Sequence, residues 1–134
     1  MTLVLDASAM IAYLRDEPGA GDVAAALLDP DNRCVAHAVN LCEVFYEFHR
    51  ASGQDVARSA ITDLSRVGVI QSTEMSEEFW QSAGVLKAVH RRVSLADCFA
   101  IALARKVSGV VVTADHHEFD SLAEQAVCEV RFIR

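Results

Sequence analysis

Four acidic residues stand in chain contexts where a carboxylate can do chemistry. Asp6 follows the apolar run Leu3-Val4-Leu5, and Asp115 follows Val110-Val111-Val112-Thr113-Ala114. Glu43 follows Val39-Asn40-Leu41-Cys42, and Asp97 follows Ser94-Leu95-Ala96, just ahead of an unbroken apolar stretch from Cys98 to Ala104. A helix that is apolar all round is a buried one. A carboxylate in its first turn is costly unless it is capped, paired or bound to a cation. The helix dipole offsets only roughly 0.3–1 kcal/mol of that cost; a divalent metal offsets far more. Carboxylate oxygens suit magnesium or manganese. Such an ion polarises a phosphoryl oxygen, activates a water and holds a leaving oxygen, and the chemistry needs several acids converging from separate elements. Each acid also has a plainer reading. Asp6 can cap the helix that follows at Ala9, and Glu43 can sit on a solvated helix face. Four acids in matching contexts favour the metal site.

The elements that would position them alternate between strand and helix. Leu3–Leu5 reads as a buried first strand, then helices over Ala9–Arg15 and Asp22–Leu28, the second closed by Asp29-Pro30-Asp31-Asn32. A strand at Arg33–Ala36 precedes a helix over Val39–Arg50, which Asn40 is placed to cap and Ser52-Gly53 ends. Gln54–Val67 is amphipathic, with Ala57, Ala60, Ile61, Leu64 and Val67 at helical spacing. Val69-Ile70 marks a third strand, Ser76 opens a helix running to about Val89, and Ser94 caps another over Leu95–Lys106. Val110–Val112 is the clearest strand; a short helical segment near Ser121–Gln125 and a strand at Glu129–Phe132 complete the pattern. Short apolar strands with helical crossovers predict an α/β fold whose parallel sheet is covered on both faces. Ligands in such sheets bind beyond the carboxyl ends of the strands, where the strand order reverses. Asp6 and Asp115 occupy that position.

Length and composition bound the rest. A chain of 134 residues is one domain, 1–134, large enough for its own core. Its 52% hydrophobic content excludes disorder, and no apolar run approaches a membrane span. No basic leader precedes the first apolar run, so the expected compartment is the cytoplasm. The net charge of −7 argues against a broad basic nucleic-acid face but is compatible with acids that hold a metal. Cys34, Cys42, Cys98 and Cys128 lack C-x-x-C spacing and sit in apolar company, so all four are expected as buried, reduced thiols.

Taken together, Leu3-Val4-Leu5-Asp6-Ala7-Ser8-Ala9, Ala38-Val39-Asn40-Leu41-Cys42-Glu43-Val44, the run Ser94 to Ala104 and Val111-Val112-Thr113-Ala114-Asp115 resemble the PIN-domain ribonucleases, and among them the VapC-type toxins of toxin–antitoxin pairs. The closing Val130-Arg131-Phe132-Ile133-Arg134 resembles that family's last strand. The resemblance implies a three-layer α/β/α fold with strand order 3-2-1-4-5. It carries Asp6, Glu43, Asp97 and Asp115 over as the acidic site for Mg2+ or Mn2+, with Ser8 and Thr113 in supporting roles. It implies metal-dependent hydrolysis of RNA phosphodiesters to 5′-phosphate and 3′-hydroxyl ends, without a covalent intermediate. It further implies a homodimer and a cognate antitoxin lying across the helices around Leu41 to Val67, able to send a basic side chain into the acids. A haloacid-dehalogenase-like phosphatase also places an Asp after its first strand, but it wants a second Asp two residues on, where this chain has Ser8. A non-catalytic PIN-like binding domain would not need all four acids.

Other polar residues carry weaker signals. His90-Arg91-Arg92 is the one local basic cluster; Arg91 and Arg92 either hold a neighbouring phosphate at the rim or complement a helix end. His116 and His117 with Glu118 and Asp120 could suggest zinc, but a loop lip beside Asp115, or plain surface, is the better reading. Glu47 and Arg50 lie on the Glu43 side of their helix, whereas Leu41, Val44, Phe45 and Phe48 form the apolar side.

Overall fold

Leu3, Val4 and Leu5 have no exposed surface, which requires a strand covered on both faces and flanked on both edges. The computed structural model describes residues 1–134 and supplies both covers. Along the chain run β1 (Thr2–Leu5), α1 (Ala7–Leu14), α2 (Ala20–Leu28), β2 (Arg33–His37), α3 (Ala38–Ser52) and α4 (Gln54–Arg66). They are followed by β3 (Ile70–Ser72), α5 (Glu77–Val89), α6 (Leu95–Val107), β4 (Val110–Thr113), α7 (His116–Glu124) and β5 (Val130–Phe132). The five strands form one sheet ordered β3-β2-β1-β4-β5, with every neighbouring pair parallel. This is the predicted three-layer α/β/α architecture, with the order reversing between β1 and β4.

Alternation along each strand divides the core into two. Leu3 and Leu5 of β1, Cys34 and Ala36 of β2, and Val110 and Val112 of β4 pack with α1 to α4. Val4, Val35 and Val111 face the other way, onto Phe79, Ala83 and Leu86 of α5, the buried run of α6, and Phe119 and Leu122 of α7. Every residue of α6 from Asp97 to Ala104 is buried, as its composition requires. The edge of the fold closes at Gly19, whose φ of 97° is left-handed. A Cβ there would lie 2.7 Å from Ile133, so only glycine allows the chain's end to dock against the α1–α2 turn.

Several expectations need correction. The cap of α3 is His37, not Asn40: the His37 Nδ1 accepts the Val39 N–H at 3.0 Å. Its Nε2 therefore carries the hydrogen and donates it to the Glu74 carbonyl at 2.7 Å. The ring is fully buried between Phe79 and Phe99, with centroids 5.3 and 5.1 Å away. With α3 beginning at Ala38, Glu43 lies in its second turn. Helix α7 starts at His116, well before Ser121, because Asp115 caps it through the Glu118 N–H at 3.1 Å. The two histidines therefore stand in a first helical turn and not on a loop. Cys34 and Cys98 are buried, but Cys42 is exposed and Cys128 half-buried. Cys42 falls off the Leu41–Val44 stripe that α3 turns to the core.

His37 holds the β2–α3 junction to the approach to α5 with two partly buried hydrogen bonds and two ring contacts. His37→Ala would leave a partly buried N–H and C=O unpaired beside a cavity. It should lower unfolding stability in urea by about 2–4 kcal/mol. A loss below about 1 kcal/mol would contradict this assignment.

Candidate active site

The site begins where β1 ends. Asp6 caps α1, its Oδ1 accepting the Ala9 N–H at 2.9 Å and the Ser8 hydroxyl at 2.7 Å. Its Oδ2 accepts a short hydrogen bond from the Thr113 hydroxyl at the end of β4. The two hydroxyls accept in turn: Ser8 Oγ from the Ala114 N–H at 2.9 Å, and Thr113 Oγ1 from the Asp115 N–H at 3.0 Å. Each hydroxyl has one hydrogen and spends it on Asp6, so their mutual 3.2 Å approach is packing and not a bond. The carboxylate thus sews the ends of β1 and β4 together. It offers about four acceptor directions and uses three of them here. Burial raises the Asp6 pKa to about 6 against the pull of those bonds, and the Asp115 charge adds to the rise.

Three carboxylates meet opposite it. Oxygens of Asp97, Asp115 and Glu118 all lie within 4.8 Å of one another. Ser94 caps α6 by accepting the Asp97 N–H at 3.2 Å, which places Asp97 in the first turn, buried. Its pKa is driven far upward, first by burial, next by a hydrogen bond with Glu118, then by the charges of Asp6, Glu118 and Glu43. Two carboxyl groups that hydrogen-bond each other hold a proton between them.

Glu118 is the acid that the sequence reading left outside the site. Asp115-x-x-Glu118 has capping-box spacing, in which the glutamate would turn back to the N–H of residue 115. That N–H is taken by Thr113, so Glu118 reaches across to the Ser94 N–H at 3.3 Å. The amino ends of α6 and α7 therefore face the same carboxylates, which favours negative charge there. The same spacing ahead of Phe119 and Leu122 was the available signal for both the earlier helix start and the fifth acid.

Glu43 enters from α3, half-buried. Its pKa is raised by burial and then by Asp6, Glu118, Glu47 and Asp115, so it shares the field of the cluster. Asn40, one turn earlier and fully buried, donates to the Ala96 carbonyl at 3.3 Å and ties α3 to the first turn of α6. Its Oδ1 is buried without a protein partner. Glu47 acts on Glu43 as the shared helix side predicts, while Arg50 turns to Glu47 at 2.5 Å. His116 is not placed to ligate a metal with His117. Its Nδ1 meets Asp120 at 2.7 Å, its Nε2 meets the Arg134 carbonyl at 2.6 Å, and its ring stacks on Phe132 at 4.0 Å. Arg91, Arg92 and His117 line a cleft that opens beside Glu118.

Of the four predicted acids, Asp97 and Asp115 meet with Glu118, while Asp6 and Glu43 lie within the same electrostatic field. The donor set is oxygen only and crowded, and burial raises the pKa of Asp6, Glu43 and Asp97. It fits a hard divalent cation such as Mg2+ or Mn2+.

The family model for the PIN domain matches residues 3–125. No curated protein sequence matches the chain. Among solved structures, the fold is similar to the VapBC2 complex of Rickettsia felis bound to a promoter DNA fragment, at 17% identity and TM-score 0.74 over 98% of each chain. It is also similar to VapBC-1 of nontypeable Haemophilus influenzae, at 19% identity and TM-score 0.70 over 99% of this chain and 98% of that one. VapC20 of Mycobacterium tuberculosis, a toxin that cleaves the sarcin–ricin loop, matches at 18% identity and TM-score 0.65 over 89% and 94%.

Raised carboxyl pKa values make a signed prediction. Between the unfolded value of ~3.9 and the folded value, the native state binds more protons than the unfolded chain, so stability falls as pH rises. For Asp6, raised to about 6, the loss is roughly 3 kcal/mol, complete above that pH. Asp97 adds in the same direction. Asp97→Asn removes its share, so in chelator the mutant should melt above the wild type, with a gap that widens from pH 4.5 to 8 and reaches roughly 3–8 °C. A mutant that melts lower than the wild type across this range would contradict the crowded-carboxylate account.

Proposed function

The chain belongs to the PIN-domain family, and from that premise we propose that it is a metal-dependent endoribonuclease and the toxin of a toxin–antitoxin pair. The observation that carries the reading is the convergence of Asp6, Glu43, Asp97 and Asp115 from four different elements at the switch point between β1 and β4. Those four residues would hold Mg2+ or Mn2+. A bound ion supplies Lewis acidity toward the phosphoryl oxygens and lowers the pKa of a water.

The protein's own groups prepare that chemistry. Ser8 and Thr113 orient Asp6 and leave one acceptor direction of its carboxylate free. Asp115 is held by its cap on α7, and Asp97 by its place on the buried α6. A proton retained on Asp97 keeps the cluster tolerable before a cation arrives. Neither Ser8 nor His116 is poised as a nucleophile, since the Ser8 hydroxyl is committed to Asp6 and both His116 nitrogens to Asp120 and the Arg134 carbonyl. This favours direct hydrolysis over a covalent intermediate. It also disfavours the haloacid-dehalogenase-like alternative, because Ser8 stands where that class needs its acid. Five gathered carboxylates likewise disfavour a disused binding domain.

Similarity to toxin–antitoxin complexes supports a cognate antitoxin as the inhibitor; a homodimeric toxin is part of the same reading. The antitoxin segment would lie across α3 and α4, where Tyr46, Val56 and Val67 are exposed. No helix is long and apolar enough to cross a membrane.

Cleavage of a mixed, end-labelled RNA pool should require Mn2+ or Mg2+ and stop in excess chelator. Asp97→Asn should abolish it. Glu118→Gln should retain roughly 1–10% of activity, as expected for a group that supports the ligands. Equal cleavage in chelator, or full activity of Asp97→Asn, would overturn the metal-dependent reading.

A further inference from the structure

The acid cluster opens on one side into a cleft of about 350 Å3 between the α5–α6 connection and α7. Glu118 belongs to both, forming one wall of the cleft and one edge of the cluster. The facing wall is made of His90 and the cationic Arg91 and Arg92, with His117 and Ser121 on α7 closing it.

Resting on the ribonuclease reading above, we propose that this cleft seats the RNA strand next to the scissile bond, gripping the adjoining phosphodiester with Arg91 and Arg92. The two guanidinium groups form no hydrogen bond or ion pair within the protein. The chain carries a net charge of −7, and carboxylates lie alongside. Arginines beside carboxylates ordinarily pair with them in bidentate fashion. Here Glu118 is turned instead to the Ser94 N–H, which leaves the cations free for an external anion.

The connection that carries them is held in shape. Lys87 Nζ donates to the carbonyls of Arg91 at 2.9 Å and Val93 at 2.7 Å, and the Val93 N–H bonds to the His90 carbonyl at 3.0 Å. The Ser94–Glu118 bond then fastens this connection to α7. The arginines thus stand on a braced turn beside the reacting site, and a polyanion entering an acidic cluster needs cations there. Guanidinium forks match phosphate oxygens in geometry. The flat faces of His90 and His117 suit an unstacked base, so single-stranded or loop RNA fits better than a duplex.

The test uses the full chain with Arg91→Gln and Arg92→Gln combined, and Arg33→Gln, at the amino end of β2, as a control. Kinetics in Mn2+ on a short labelled RNA should show KM raised about tenfold with kcat within twofold of the wild type. The slope of log affinity against log salt, from fluorescence anisotropy of the same RNA, should flatten by about 0.7, as expected for one lost phosphate contact on a single strand. Arg33→Gln should change neither. If the double variant melts early, the single substitutions should each give about half the slope change.

Unchanged KM and salt slope would overturn the proposal. So would variants whose RNA binding is intact but whose capture by an acidic antitoxin peptide is lost, because the cleft would then serve the protein partner. Wild-type protein that binds RNA through these arginines yet cleaves none would refute the nuclease reading alone, which keeps the two failures distinguishable.

Discussion

Repulsion among carboxylates held together at the open ends of β1 and β4 is the constraint that the surrounding structure answers. Two unit charges ~4 Å apart cost roughly 1–4 kcal/mol at effective dielectrics of 80 to 20. This chain places Asp97, Asp115 and Glu118 within 4.8 Å and brings Asp6 and Glu43 into the same field. Each acid is pinned by an element that cannot yield cheaply. Asp6 caps α1 and is clamped from β4, Asp97 rides a helix buried on every side, and Asp115 caps α7. The hydrogen bonds, two helix amino ends and one retained proton offset part of the conflict. The remainder is stored as raised pKa values, and a cation would release it.

Seen this way, the peripheral features of the fold have a common purpose. His37 fixes the start of α3 and so the height of Glu43 above the sheet. Asn40 fastens that helix to the first turn of α6 beside Asp97. His116 anchors α7 to the chain's end through Asp120, Arg134 and Phe132, which holds Asp115 and Glu118 against the sheet. In the proposed reading, substrate specificity lies outside this frame, in the cationic wall that the acids leave free.

Much of this was legible in the residues. The apolar triplets Leu3-Val4-Leu5 and Val110-Val111-Val112 have no reading except central parallel strands, and the acids that follow them fall at the switch point by topology alone. The seamless run after Asp97 marked α6 as buried. What escaped depended on partners distant in sequence. Asn40 has the right chemistry to cap α3, but a fully buried imidazole wedged between Phe79 and Phe99 outcompetes it, and aromatic packing across three elements leaves no local signature. The spacing of Asp115 and Glu118 signalled the start of α7, but that Glu118 turns into the site depends on Thr113 displacing its capping-box role, a competition visible only once β4 and α7 are placed. Cys42 was misassigned because apolar neighbours in sequence are not neighbours on a helix surface.

The central claim is that the cluster holds a proton in place of a cation. Calorimetric titration of Mn2+ into the metal-free protein at pH 7, repeated in buffers of different ionisation enthalpy, counts the protons displaced per ion bound. The account predicts release of about one proton, drawn from Asp97, and its disappearance in Asp97→Asn. Binding with no buffer dependence would mean that the carboxylates were already ionised and would contradict it.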